Sequence, residues 1–422
     1  MTTLVLFGVF IVLFLLHVPI GISLATSSIV TLFLSGDFSL FMIAQKMFTG
    51  MDSTPLMAIP GFVFAGVLMA HGGISKYLIN FLRAWIGHIR GGLSVVVMLA
   101  CMIFAAISGS SPATAAAVGG IMIPAMVASG YDKKYAMGAV AAGGTVGILI
   151  PPSITFVLIG VTAEQSIGKL FTAGILPGIL LTGLFAITAI IYARMKDYGG
   201  DKKANWEERK KATIQAIPGI LMPVLILTAI YAGIATPTEV SFLSVAYALI
   251  VGLFIYKEIT FSNFKKILRE SITTTSMIFL IIAAAMSFAL YLAAEQIPQQ
   301  VVTWVTGHDI SLFTFWAFTF VLFLVLGTFL EAVSIVLITL PVLLPVIYAM
   351  DINIIHFAVF MVMMMEMAMI TPPVGLNLFV VAGIAREKLE NVILGVLPFM
   401  LTMLVAILII IFFPQIPLAL LN

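Results

Sequence analysis

Charge is what this 422-residue chain has least of: Asp, Glu, Lys and Arg make up 9% of it, against 62% hydrophobic residues. A soluble globular domain carries about 25% charged and about 45–50% apolar residues, so a soluble fold is excluded and an integral membrane protein is implied. Mean hydropathy is +1.21, in agreement. Cysteine is nearly absent. Cys101 stands alone, which rules out an intramolecular disulfide and argues against a thiolate metal cluster. His17, His71, His88, His308 and His356 are scattered, and no HExxH, GxSxG, CxxC or GxxxxGK[ST] occurs. A net charge of +2 gives nucleic acid no footing as a partner. An intramembrane protease would need a paired Asp or a Ser–Lys or Ser–His dyad within the bilayer, and no such pair is found, so no enzymatic activity is expected. No tandem filter-like loops suggest a channel.

Long apolar runs are what the chain has in abundance. They predict helices near 3–16, 20–35, 55–70, 92–107, 112–128, 135–150, 152–163, 170–193, 216–234, 239–256, 272–294, 311–329, 333–349, 354–370, 374–385 and 391–413. The first, opening at Thr2 without a basic leader or a cleavage site, reads as a retained helix and not a signal peptide. Several runs are too short to cross about 30 Å of hydrocarbon, and these flank glycine and proline clusters. The alternative to spanning is a re-entrant hairpin or half-helix. The stretch 194–211, RMKDYGGDKKANWEERKK, holds 7 of the 20 Lys and Arg residues and reads as a cytoplasmic loop. FSNFKKILRE, 261–270, reads either as a helix along the cytoplasmic interface or as a charged loop. No Lys or Arg occurs from Ser271 to Ala385.

Two proline doublets interrupt apolar runs: Pro151–Pro152 in GILIPPSI and Pro372–Pro373 in ITPPVGLNLF. The offset from Pro151 to Pro372, 221, also carries Pro124 to Pro345, Gly174 to Gly395, Leu176 to Leu397 and Pro177 to Pro398. Prolines in register over so long a stretch mark an internal duplication. Each copy begins with a punctuated turn (SGSSPAT at 108–114, GTFLEAVS at 327–334) and continues to a helix broken at its doublet. Lys133 and Lys134 follow the first hairpin, whereas its counterpart in the second copy, MDINIIH, has no Lys or Arg. Equivalent points are therefore expected on opposite sides of the bilayer, as in inverted-repeat transporters. That places the C-terminus in the periplasm. Broken helices inside a membrane are tolerated where they are buried in protein or line a wet cavity. Their N-terminal ends attract anions and their unwound carbonyls can hold Na+; a kink with no ligand is the plainer alternative.

Hydroxyls concentrate at Ser108, Ser110, Ser111 and Thr114, which suit a hairpin tip, or else close helix packing. Glu331 and Glu366 are intramembrane acids, costly and functional by default. Glu366 is open to cation binding, proton transfer or a buried structural pairing. Asp52, Ser53 and Pro55 read as a helix entry.

The segments GHIRGGLSVVVMLACMIFAAISGSSPATAAAVG, GILIPPSI, SIGKLFTAGILPGILL, GIATPTEVSFLSVAYAL and ITPPVGLNLFV resemble the large membrane subunit of tripartite ATP-independent periplasmic (TRAP) transporters, nearly end to end. The resemblance implies an all-α polytopic protein of the bacterial inner membrane. It implies an inverted-repeat, elevator-type member of the ion transporter superfamily, with two re-entrant hairpins and two broken helices. It implies Na+-coupled import of a small organic anion such as a C4-dicarboxylate or sialic acid. The partners would be a small four-helix membrane subunit and a soluble periplasmic binding protein; no organic cofactor is implied. The expected division is scaffold helices at 1–91, a first transport repeat at 92–193, a cytoplasmic loop with scaffold helices at 194–311, and a second transport repeat at 312–422. Carried onto this sequence, the Na+ sites would draw on Ser108, Ser110, Ser111, Gly144, Thr145, Gly147, Gly327, Thr328, Thr371, Gly375 and Asn377. Substrate would lie against Ser111, Thr114, Pro152, Ser153, Thr155 and Asn377, with Glu331 and Glu366 as possible coupling acids. The nearest rival is a proton-coupled antiporter, or another organic-anion transporter, working through Glu366.

Overall fold

Helices with apolar surfaces all round can only be satisfied by one another and by lipid, and the computed structural model, which describes residues 2–36 and 38–421, shows no strand among them. The N-terminal part comprises α1 (Thr2–Leu15), α2 (Ile20–Ser35), α3 (Leu40–Met51), α4 (Ala58–His71) and α5 (Ile74–Ile86). Then come α6 (Gly92–Ser108), α7 (Ser111–Ala128), α8 (Lys133–Gly144), α9 (Ile154–Thr162) and α10 (Ile167–Met195). The middle holds α11 (Trp206–Tyr231), α12 (Pro237–Ile250), α13 (Phe261–Ala294) and α14 (Ile297–Gly307). The last part is α15 (Leu312–Phe329), α16 (Ala332–Ala349), α17 (Ile354–Met369), α18 (Leu376–Ala385), α19 (Leu389–Phe412) and α20 (Gln415–Leu418). Among the described residues nine helical segments are long and apolar enough to span a membrane.

The duplication is written into these boundaries. Shifted by 221, α7 becomes 332–349, the range of α16, and the start of α8 falls on the start of α17. The counterparts α6 and α15 agree to within a residue at each end. Each copy is thus a helical hairpin (α6–α7, α15–α16) followed by a broken helix (α8–α9, α17–α18) and a closing helix.

Both breaks have local causes. In the first copy α8 tightens into a 3-10 turn at Thr145–Ile148, and Pro151 and Pro152 supply no backbone donor to extend it. Ser153 then restarts the chain as α9, its hydroxyl accepting from Phe156 N–H at 3.4 Å. In the second copy α17 ends at Met369 and Gly375, at φ +55°, starts α18. A Cβ at Gly375 would press on the Met369 and Thr371 carbonyl oxygens at 3.1 and 3.0 Å, so the turn requires glycine. Both Pro–Pro peptide bonds are cis.

The copies interlock. α8 of the first packs along α19 of the second so closely that Gly138 and Gly395 meet backbone to backbone, with no room for a Cβ on either. Lys133, at the start of α8, pairs at 2.8 Å with Glu387, just beyond the end of α18.

The stretch 261–270 is not a separate interfacial helix or a loop. It is the opening of α13, which runs unbroken for 34 residues, because a Thr260–Asn263 capping box starts it and no Gly or Pro interrupts it. At 1.5 Å per residue α13 is about 51 Å long, well beyond the hydrocarbon thickness.

Candidate functional site

Ser111 is the point on which the broken segments converge. It opens α7, one residue after Ser110, whose hydroxyl caps that helix. Its Oγ accepts from Asn377 Nδ2 at 2.7 Å, and the same amide nitrogen donates to Ala141 O at 3.2 Å. Asn377 belongs to the first turn of α18, so the second copy's break is tied to the first copy's tip. Gly144 and Gly147 make the approach possible. A Cβ on Gly144 would lie 3.1 Å from Ser111 O and 3.2 Å from Asn377 Nδ2, and one on Gly147 would lie 3.3 Å from Ser111 Cα. Glu366, in α17, is wholly buried, and neither oxygen of its carboxyl has a hydrogen-bond partner.

The first tip is a closed hydroxyl network. Ser108 Oγ and Thr114 Oγ1 lie 2.9 Å apart, Thr114 Oγ1 donates to Ser110 O at 2.8 Å, and Ser110 N–H donates to Ser108 Oγ at 3.4 Å. Gly109, at φ +58°, lets the tip touch the first break, since a Cβ there would lie 2.7 Å from Pro152 O.

Both tips and both breaks border a single cavity of about 160 Å3. Its wall includes Ser108–Ser110 and Ala113 from the first tip, Glu331–Val333 from the second, Ile154 and Thr155 after the first break, and Met369 and Leu376 around the second. The helices α7, α9, α16 and α18 all start at this wall, so four N-terminal ends, each with unpaired N–H groups, gather there. No Lys, Arg or His is among the lining residues; the charged ones are Glu270 and Glu331. A space of this size fits a small solute.

The expected site residues thus separate into groups. Ser110, Ser111, Gly144, Gly147 and Asn377 come together around Ser111. Ser108, Thr114 and Pro152 border that group through the tip, while Ser153 caps α9 and Thr155 lines the cavity. Thr145 is turned back to Ala142 O at 2.6 Å. In the second copy, Thr328 donates to Val325 O and Thr371 to Met367 O, and Gly327 packs on Ala368. The Thr328 and Thr371 hydroxyls thus donate within their own segments and not to the Ser111 cluster.

Sequence reasoning missed the contribution of the other helices. Gly66, Val67 and Ala70 of α4 and Glu270, Thr274 and Ile278 of α13 form the remaining wall. A Cβ on Gly66 would lie 3.0 Å from Ser108 Cα. The paired glycines Gly61 and Gly66 in GFVFAG were the available signal for close helix approach.

The internal offset adds one more feature. Glu331 stands where the first copy has Ser110, and Glu366 where it has Thr145. Two hydroxyl positions of the first copy are carboxyl positions of the second.

Comparison with known proteins gives consistent matches. Residues 7–416 match the family described as tripartite ATP-independent periplasmic transporter, DctM component. The chain is 42% identical to the C4-dicarboxylate TRAP transporter large permease protein DctM of Pseudomonas aeruginosa, covering 95% of this chain and 94% of that one. It is 39% identical to the isethionate TRAP transporter permease protein DctMQ of Oleidesulfovibrio alaskensis, covering 98% of this chain and 65% of that longer protein. Among solved structures, the Alcanivorax borkumensis YdaH transporter superposes with a TM-score of 0.63 at 14% identity over 89% of this chain and 88% of that one, a likeness of fold alone.

Proposed function

The chain belongs to the DctM component family of tripartite ATP-independent periplasmic transporters, and from that premise we propose that it is the translocating subunit of a Na+-coupled importer of a small organic anion. A soluble periplasmic binding protein delivers the substrate, and a small four-helix membrane subunit completes the assembly. The carrying observation is the cavity: four helix N-termini and two hydroxyl-bearing segments, with no basic side chain, around a space suited to a small solute. Helix ends attract carboxylate or sulfonate, but with two glutamates on the wall they need help to balance an anion's charge. Bound Na+ supplies that help.

The Na+ positions are assigned to the tips and breaks. The residues around Ser111 fit a cation, because Asn377 Oδ1 is buried and unpartnered and the Ser111 hydroxyl lies beside it. Bound there, Na+ would supply positive charge next to the substrate's acid group. Ser108, Ser110, Thr114, Ser153 and Thr155 orient the substrate, and Gly144 and Gly147 keep the backbone near enough to contribute carbonyls.

The inverted arrangement of the copies is supported by the Lys133–Glu387 pair. The first broken helix begins where the second ends, which is how two antiparallel copies meet. Arg83, Ser129 and Asp201 lie at the same end as the basic loop 194–211. That end is assigned to the cytoplasm of a bacterial inner membrane. Sliding of the two repeats against the other helices, elevator fashion, would then carry the cavity from one face to the other.

The test is uptake into proteoliposomes. Accumulation of a labelled C4-dicarboxylate or sulfonate that requires inward Na+, the small subunit and a loaded binding protein is the expected result. Uptake that ignores Na+, follows a pH gradient and disappears in Glu366→Gln would favour the proton-coupled antiporter, the reading suggested by the unpartnered Glu366 carboxyl.

A further inference from the structure

The outer side of α11 has no part in the transport reading, and its chemistry changes along its length. On its inner side Ala216, Gly219, Met222, Pro223 and Ile226 are buried, and α11 packs along α5. Ile214, Ile217, Leu221, Val224 and Leu225 are instead 43% to 56% exposed. They recur at the spacing of one helix face and form an apolar stripe.

At the start of α11 the same face becomes charged. Lys210 and Lys211 border a shallow depression with Glu207, Ile214 and Gln215. Among the described residues neither ammonium is in an ion pair. The segment KKANWEERKK, 202–211, holds five basic and two acidic side chains. Glu208 is engaged in the capping box with Asn205, and Arg209 with Ala84 O and the Trp85 ring. Glu207 alone therefore opposes Lys210 and Lys211, and a positive surplus remains. Trp206, 70% exposed, meets Trp85 edge to face at 6.3 Å. Tryptophan at such a position marks the level of lipid headgroups.

At its other end the stripe enters a groove of about 360 Å3 between α11 and α12, lined by Met222, Leu225, Ile226, Ala229, Val240 and Leu243 among others. Leu225 belongs to both stripe and groove. It follows Lys211 by 14 positions, which is about 21 Å at 1.5 Å per residue. Half a bilayer, headgroups included, measures about 20–22 Å. The free lysines and the groove are thus one leaflet apart and joined by apolar surface. A soluble anion would use the lysines and leave the groove open. An apolar partner helix would cover the groove and leave the lysines without counter-charge. A phospholipid with a negative head matches both ends.

We propose that this face of α11 is a site for one anionic phospholipid. Its phosphate lies on Lys210 and Lys211, and one acyl chain follows Ile214, Ile217 and Leu221 into the α11–α12 groove. The lipid holds α11 at a fixed depth, and α5 with it, since Arg209 Nε donates to Ala84 O at 3.2 Å and Trp85 Nε1 to Thr213 Oγ1 at 3.0 Å. The inference stands apart from Na+ coupling.

The experiment titrates the 422-residue chain in neutral-detergent micelles with dioleoyl phosphatidylglycerol or dioleoyl phosphatidylcholine, read by thermal unfolding and by native mass spectrometry. Phosphatidylglycerol should stabilise wild type with a midpoint at least about tenfold lower than phosphatidylcholine, and one molecule should stay bound. The double exchange Lys210→Gln and Lys211→Gln should bring the two midpoints within about threefold of each other. The same exchange at Lys265 and Lys266, equally exposed on α13, should leave the preference intact. Leu243→Trp, which fills the groove from an exposed position, should weaken both lipids alike. Three results overturn the inference, and two of them need no variant. Equal midpoints for the two lipids on wild type would give the face to an apolar partner. Stabilisation by inorganic phosphate as strong as by phosphatidylglycerol would make the ligand a free anion. An equal loss of preference in the Lys265 and Lys266 variant would reduce the effect to diffuse surface charge.

Discussion

Replacing Asn377 by alanine removes two buried hydrogen bonds at once, to Ser111 Oγ at 2.7 Å and to Ala141 O at 3.2 Å. Both join the second broken helix to the first copy, so their loss is a direct assay of whether the two breaks work as one unit. Hydrogen bonds between membrane helices average about 0.6 kcal/mol in double-mutant cycles, with a ceiling of about 1.7 kcal/mol. The Asn377–Ser111 bond is short and both residues are fully buried, which places it in the upper part of that range, at about 1–1.5 kcal/mol. Asn377→Ala alone should cost about 2–3 kcal/mol, because a second bond and some packing go with it. Ser111→Ala should cost about 1–2 kcal/mol. The cycle is closed with the double variant, each protein being unfolded by denaturant in micelles with and without NaCl. A coupling of about 1 kcal/mol is expected, larger in NaCl if the pair frames an ion. If the two single effects add to within about 0.3–0.5 kcal/mol in both conditions, the residues are independent. The convergence on Ser111 would then carry no function.

Three other outcomes follow from contacts at the polar end of the molecule and at the interlock. Asp201 accepts from Arg83 Nε and Nη2, both at 2.8 Å, and from Ser129 Oγ at 3.2 Å, tying the loop after α10 to α5 and to the end of α7; Asp201→Ala should cost about 1–2 kcal/mol after allowance for partial solvent screening, measured by thermal unfolding. The Lys133 ammonium, hydrogen-bonded to Glu387, holds that carboxyl below the usual carboxylate range, with Asn391 adding to the effect. A depressed carboxyl contributes stability that is complete above its unfolded value and is lost as pH falls through its folded value, so the margin of wild type over Glu387→Gln should be largest near neutrality and vanish in acid, as read by unfolding temperature from pH 7 downward. Gly395→Val would drive a side chain into Lys134 O and the Gly138 backbone; since backbone cannot yield as a side chain can, a loss of at least about 1–3 kcal/mol and poor recovery of folded protein are expected by size-exclusion chromatography.

The parts of this fold legible in the sequence were those marked by backbone chemistry. Pro151–Pro152 and Pro372–Pro373 located both breaks, and their spacing exposed a duplication that the element boundaries repeat nearly residue for residue. Helices whose signal is amphipathic were invisible to a search for apolar runs: α3, α5 and α14 are missing from the expected set. Yet α5 has buried Ile74, Leu78, Ile79 and Leu82 at helical spacing, and Ser39 caps α3. The run of α13 was cut short because Lys265, Lys266 and Arg269 mask a helix that continues through the interface. The tip hydroxyls and Asn377 could be named from their residue types, but their partners could not, because Asn377 and Ser111 are separated by 266 positions and meet only through the packing of one copy on the other.

The two copies also explain why symmetry alone would not make a working site. Identical halves facing each other would present hydroxyl to hydroxyl, Ser110 opposite its counterpart and Thr145 opposite its own, with no charge on either side. Here the second copy supplies Glu331 and Glu366 at those positions, while the first supplies the glycines, Gly144 and Gly147, that let the backbones close in. Because the cavity wall has no basic residue and carries Glu270 and Glu331, an anionic solute there would be repelled until something positive is bound. On the proposed Na+-coupled reading, coupling would then need no separate latch: anion and cation would each make the site habitable for the other, and a state holding the anion alone would be the costly one. Restoring the first copy's residue in the second, Glu331→Ser, should therefore weaken the link and not the binding. Uptake in proteoliposomes should persist while its steepness in Na+ falls, and an unchanged Na+ dependence would refute the assignment of Glu331 to coupling.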